Sequence, residues 1–364
     1  MGGRKGQYGY HEYRGRGGGR VRAVLLFIIA LLAVLLAAGI AFVAFMEQYL
    51  EYTGDGVIVH WPWAQEEETL PPIASDPVEV VTGPVDVTVE PTLEIDPTPT
   101  PVPEPEYHPI GAVTVTTAQL RDGSAAQAVA SAGGTALVVE MKDMYGNLAW
   151  QSQVATADII GVNGADSRTA QAVQNLAETT DLYLVARIQG FRDPALARNW
   201  IGSIMTRGGN VWYDTQGLGW SSPANWQTAD YLCALCAELA DMGFDEILLD
   251  SPGYPDSGEV KVLATSDNRP EDLTVPVGAF WQRLADILEE KGVVLSIQAS
   301  EDALRGDNTL SGVTAANLAQ YAGRVWLTAP TKGTDYAALL TAAGMEDTTG
   351  RIVVKDASSG SWYR

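Results

Sequence analysis

Histidine is nearly absent from this chain of 364 residues, and its three copies, His11, His60 and His108, all precede residue 109. The rest of the chain therefore lacks the imidazole that a Ser-His-Asp triad, a Cys-His pair or a histidine-ligated zinc or iron site requires. Cysteine is as scarce, with only Cys233 and Cys236. They form a C-x-x-C, but they sit beside Ala and Leu inside a helical-looking stretch. A reactive pair opens a helix after a strand, so two small buried side chains are the plainer reading. With no disulfide framework, a core must hold the large domain together, which roughly 250 residues can supply. No P-loop or dinucleotide glycine pattern follows a strand, and the Gly-rich residues 15–19 read as tail. No cofactor and no metal site is expected.

Positive charge is also in short supply, 23 Lys and Arg against 45 Asp and Glu for a net of −22. It is densest at one end. Residues 1–22 hold Arg4, Lys5, Arg14, Arg16, Arg20 and Arg22 against Glu12, so taking +5 from −22 leaves −27 on the remainder. Such an acidic body repels phosphate backbones, and no nucleic-acid partner is expected. Residues 23–45 are an unbroken apolar or glycine run, about 35 Å long as a helix and sufficient to cross a bilayer core of about 30 Å. The run exceeds the core of a cleavable signal peptide, so an anchor is the expectation. The basic flank precedes it and Glu47 and Glu51 follow, which puts the N-terminus in the cytoplasm and the C-terminal domain outside, on a single-pass cell-membrane protein.

Residues 46–109 carry Glu66, Glu67 and Glu68 and then proline at every second position from Pro97 to Pro105, the pattern of an extended spacer. Two stretches within it, 57–63 and 78–89, alternate apolar and polar residues and are candidates to pair as strands. Beyond it, in residues 110–364, β-branched runs alternate with Ala-rich helical patterns. Strands are expected at 112–116, 136–141, 182–188, 246–250, 293–299, 324–329 and 351–355. Helices are expected at 124–132, 168–179, 226–242, 277–291, 314–321 and 334–343. This is the order of an α/β fold of the (β/α)8 TIM-barrel type, with the eighth strand lacking or substituted.

The C-terminal strand ends of a barrel surround its site, and here they are polar. The second strand ends at Glu140, Lys142 and Asp143, the third at Arg187 with Asp193 beyond it, the fourth at Asp250, and the fifth at Gln298 followed by Glu301. Charge at one strand end is ordinary, because loops are wet. Four consecutive strands charged at the same end form a stronger pattern. With imidazole gone, carboxylates must do any acid and base work, and glycosidic-bond hydrolysis is the major reaction class that needs nothing else. Trp212, Tyr213, Trp220 and Tyr254 flank the fourth strand and offer flat faces for pyranose rings, although core packing explains a single Trp equally well.

Three segments then resemble a known family. They are TALVVEMKDMYGNLAWQS, LYLVARIQGFRDPALA and GWSSPANWQTADYLCALCAELADMGFDEILLD. In order, spacing and strand position they are similar to the glycoside hydrolase-like TIM-barrel domain of uncharacterised bacterial envelope proteins, over roughly residues 111–360. The resemblance implies carbohydrate chemistry on a polysaccharide or oligosaccharide. Asp250 would be nucleophile or electrostatic stabiliser and Glu140 the general acid/base, its pKa raised by burial beside a like charge. Lys142, Asp143, Arg187 and Asp193 would hold sugar hydroxyls or fix the carboxylates, and Trp220, Tyr254, Gln298 and Glu301 would hold sugar. For Arg187 and Asp193 a structural ion pair is the competing reading.

The departures from the family pattern matter as well. After Asp250 the chain reads Ser251, Pro252, Gly253, Tyr254, Pro255, without the family's arginine, and Gln298 stands where an Asp is common. Ser222 and Leu232 replace asparagines. These losses motivate the alternative of a degenerate barrel that binds glycan without cutting it.

Overall fold

The computed structural model describes residues 50–53, 56–59, 107–307, 310–355 and 362–363. The basic tail, the apolar run 23–45 and most of the proline-rich segment lie outside the described residues. No helix among the described residues is long and apolar enough to cross a membrane. The chain divides into two compact units, Met1–Asp96 and Pro97–Arg364. In the first, β1 (Leu50–Thr53) pairs antiparallel with β2 (Gly56–Val59), Leu50 opposite Val59. The alternating stretch that begins at Val57 thus pairs, within the described residues, with the segment just before it.

The second unit is built on seven parallel strands in sequential order: β3 (Ala112–Val115), β4 (Ala136–Lys142), β5 (Tyr183–Gln189), β6 (Glu246–Asp250), β7 (Val294–Ala299), β8 (Arg324–Leu327) and β9 (Ile352–Val354). Each lies within two residues of its expected bounds. The eighth strand of the sheet is β10 (Trp362–Tyr363), which runs antiparallel beside β3, Trp362 opposite Val113. Among the described residues no eighth parallel strand joins the sheet, and the edge beside β3 carries this two-residue antiparallel strand.

The sheet is curled. Neighbouring strands lie about 4.8 Å apart, so β5 and β8, three places apart, would be about 14 Å apart in a flat sheet. Yet Arg324 of β8 donates to the hydroxyl of Tyr183 on β5 at 2.9 Å. On the inner surface Ala112, Val138, Val185, Leu248, Trp326 and Val353, drawn from six strands, form one apolar cluster. Below it Glu246 is fully buried, takes the indole N–H of Trp326 at 2.8 Å and pairs with Arg324. That network seals the N-terminal end of the strands.

The alternate strand residues face outward to a second, larger core. Leu137, Val139, Leu184, Ile188, Ile247, Leu249, Leu295 and Ile297 pack there against helices α6 (Trp226–Asp241) and α7 (Thr274–Glu289). Cys233 and Cys236 belong to α6, are buried and unbonded, and burial raises both thiols, Cys233 to about 11. That environment suits packing and opposes thiolate chemistry. The remaining helices are α1 (Thr117–Asp122), α2 (Ala125–Ser131), α3 (Ala155–Ile159), α4 (Arg168–Thr179), α5 (Pro194–Arg198), α8 (Glu301–Arg305), α9 (Ala315–Tyr321) and α10 (Tyr336–Ala342).

Candidate active site

Period-two alternation puts Glu140 two residues above Val138, Arg187 two above Val185, and Asp250 two above Leu248, all on the inner surface at the C-terminal rim. The parallel registry then makes them neighbours, with Glu140 opposite Arg187 on β4 and β5. The Arg187 guanidinium lies between the two carboxylates. One terminal nitrogen, Nη2, grips Asp250 Oδ2, and the other, Nη1, stands 3.6 Å from Glu140 Oε1. Arg187 thus serves neither as a lone sugar-holding group nor as a partner of Asp193. It ties the two carboxylates of the site together.

The two carboxylates differ in their surroundings. Asp250 is buried and is held by three donors, Arg187, Gln189 and Gln298. Oδ2 accepts from Gln189 Nε2 at 2.9 Å as well as from Arg187, and Oδ1 accepts from Gln298 Nε2 at 2.8 Å. The Ser251 hydroxyl lies 3.3 Å from Oδ1 but has one hydrogen and a nearer acceptor in Gln189 Oε1, so of the about four lone-pair sites of Asp250 three are filled. Glu140 keeps 45% of its side chain exposed. Loss of water around it pushes its pKa above the usual 4.5, and Asp143 and Asp250 push the same way, while Arg187 opposes them.

Gln298, where the family commonly has an acid, thus donates to Asp250, which a second carboxylate would instead repel. Ser251 adopts φ 48°, a left-handed conformation uncommon outside glycine. Its carbonyl accepts from Phe191 N and its hydroxyl reaches Gln189 Oε1 at 2.9 Å, so β5 and β6 leave the barrel tied together. Sequence reasoning missed Gln189 and Ser251. Gln189 was within reach of it, being two residues beyond Arg187 on the same face of β5.

A cleft of about 230 Å3 opens beside Asp250, with Trp220, Ser251, Gln298 and Thr328 among its walls. Trp220 is half-buried, lines the cleft and points its indole N–H to Asp214 at 3.3 Å. Tyr254 is only 2% exposed and its hydroxyl meets Ser222 at 3.3 Å, so it supports the wall and offers no open face. Of the other aromatics, Trp212 is buried and Tyr213 is exposed.

Four expected sugar contacts have other partners. Lys142 is fully buried, 2.8 Å from Asp193 Oδ2 and 2.7 Å from the Gln189 carbonyl. A β-bulge between Glu140 and Lys142 sets Lys142 opposite Ile188, a helix-facing residue, and so takes it out of the alternation. Asp193, equally buried, caps α5 by accepting from Ala195 N and Leu196 N at 2.9 and 2.8 Å. Asp143 closes its own turn, accepting from the backbone of Tyr145 and Asn147. Glu301 belongs to the β8 side, where Thr331, Tyr336, Arg305 and Thr334 all donate to it and draw its carboxyl down to about 2.

Curled parallel strands with a carboxylate pair at their C-terminal rim define a barrel-like α/β protein built for carboxylate chemistry. The chain belongs to the family described as "Putative glycosyl hydrolase domain", whose sequence profile matches residues 112–311. No curated protein matches it. Among solved structures, it is similar to a hypothetical protein from Ruminiclostridium thermocellum at 23% identity and TM-score 0.45, over 51% of this chain and 96% of the other. It is similar also to the PgaB (BpsB) glycoside hydrolase domain from Bordetella bronchiseptica, at 12% identity and TM-score 0.47, over 68% and 83%. The GH20 beta-N-acetylhexosaminidase from Streptomyces coelicolor matches at 14% identity and TM-score 0.42, over 68% of this chain and 48% of that enzyme.

Proposed function

We propose that the chain is a membrane-tethered glycoside hydrolase whose C-terminal domain acts on a polysaccharide outside the cell membrane. The observation that carries the chemistry is the shared guanidinium, which holds a partly exposed Glu140 of raised pKa beside Asp250, itself in the wall of a cleft. Glu140 is the general acid/base. It gives its proton to the glycosidic oxygen as the bond to the anomeric carbon breaks, and recovers one from the attacking water. Asp250, held by Arg187, Gln189 and Gln298, acts as an electrostatic stabiliser of the positive charge that builds on the sugar. The tether is residues 23–45, supported by their length, their apolar character and the basic flank.

The three donors that already grip Asp250, one of them Gln298, favour a second reading, a barrel that binds glycan and leaves it whole. Sugar release from a glycan panel separates the two. Glu140→Gln is expected to lower turnover by about 10²- to 10⁴-fold, the range for losing a general acid/base. Equal product from parent and variant removes Glu140 from the mechanism, and retained binding with no product from either establishes the binding-only barrel.

A further inference from the structure

A second hollow, of about 270 Å3, lies over the ends of β7 and β8 and shares Ala299, Ser300 and Thr328 with the cleft at Asp250. The two are therefore neighbouring parts of one groove. Each alone is smaller than the roughly 300 Å3 at which ligand clefts begin, and joined they exceed it.

The lining of this second hollow is amphipathic. Ala329 and Pro330 are apolar, while the hydroxyls of Thr328 and Thr331 and the carboxylate of Asp302 are exposed beside them. A pyranose ring has the matching character, with apolar C–H faces and a hydroxyl rim.

The wall is fixed in advance. Glu301 at the start of α8 accepts from Thr331 N at 3.2 Å, Thr334 Oγ1 at 3.0 Å and Tyr336 Oη at 2.8 Å, which ties the β8–α10 loop down. Arg305 donates to it from the other side at 2.8 Å. Among the described residues no Lys, Arg or His lines either hollow, whereas Asp250, Asp256, Glu301 and Asp302 do, with Arg187 and Arg305 paired to Asp250 and Glu301. A uronic-acid or phosphate polymer would meet more negative than positive charge along the groove.

We propose that the β7–β8 hollow is a further sugar-binding subsite. It holds a neutral or amine-bearing ring of the same polysaccharide whose linkage lies at Glu140 and Asp250, so that the groove takes a chain several rings long. This inference rests on the carbohydrate reading of the Asp250 site, with Glu301 a positioning residue for the hollow.

The test uses the full chain and fragments of two to six rings cut from cellulose, chitin, chitosan and polygalacturonate. Affinity for one of the first three is expected to rise about tenfold with length, as one or two added hydrogen bonds would give. Ala329→Trp fills the hollow from an exposed position and is expected to cut the long-over-short affinity ratio about tenfold. Glu301→Gln, which loosens the wall, is expected to lower the same ratio and serves where the Trp variant melts early.

A ratio that stays at the parent's value in both variants, or binding that ignores length, overturns the subsite while the hydrolase reading stands. Tighter binding of polygalacturonate overturns the sugar class. No binding and no product with any fragment overturns both readings.

Discussion

Arg187 acts unequally on the carboxylates it joins. Asp250 receives a close bond from it, and Glu140 sees the same charge from 3.6 Å while remaining partly dehydrated. For Glu140 dehydration outweighs Arg187, so its folded pKa lies above 4.5. An acid catalyst must carry its proton, so turnover should fall as pH rises through that raised value. Glu140→Gln should abolish this alkaline limb in a pH–rate profile of whatever activity remains. Linkage fixes the sign for stability too. A raised folded pKa favours the folded state below 4.5 and costs stability once pH passes the folded value. Glu140→Gln should therefore unfold at slightly higher urea than the parent at pH 7, with the difference vanishing below pH 4. A variant less stable at pH 7 would mean that the bond to Arg187 outweighs dehydration.

At the scale of the element, the bulge in β4 separates the residues that serve the site from those that support it. Glu140 stays on the inner face and Lys142 leaves it for the buried Asp193. The ion pair joins the end of β4 to the start of α5, because Asp193 also caps that helix. Removing one partner strands a charge with no water, so Lys142→Met should cost about 3 to 5 kcal/mol in urea unfolding. A loss under 1 kcal/mol would mean that water reaches Asp193. The bulge also explains what could be read from sequence and what could not. The strands were legible because β-branched runs such as Leu137–Val138–Val139 are buried on both faces in a parallel sheet. Glu140, Arg187, Asp250 and Gln298 were legible as neighbours on one rim because polar side chains recurred at four strand ends. Lys142 was misjudged since a bulge shifts parity without any mark in the residues, and Asp193 since its cap of α5 depends on a five-residue helix. Helices α1, α3, α5 and α8 are likewise too short for periodicity to register; α1, α5 and α8 are set by Thr116, Asp193 and Ser300 as caps.

For the molecule as a whole, charge and hydropathy divide the labour. Carboxylates line the groove with Arg187 and Arg305 paired to them, in a chain whose net charge of −22 is made of +5 in a basic tail and −27 beyond it. An acidic body gains nothing from an anionic lipid surface, so electrostatics cannot hold it at a membrane. Residues 23–45 can, because each Leu, Ile or Phe near the centre of a spanning helix contributes about −0.3 to −0.6 kcal/mol and the run contains no charge. If this run is the tether, the full chain should pellet with membranes and resist extraction by 1 M salt and by alkaline carbonate, yielding only to detergent. Deleting residues 23–45 should move the protein to the soluble fraction with its unfolding midpoint intact, because the inner and outer cores are built from residues beyond 109. Release of the full chain by salt alone would show attachment through the basic residues 4–22 to anionic lipid, with no span at all. Protease added outside intact cells should meanwhile remove the C-terminal domain and leave a short fragment bearing residues 1–22. Protection of that domain until the cells are opened would reverse the orientation, and with it the proposal that the groove meets its polysaccharide outside the membrane.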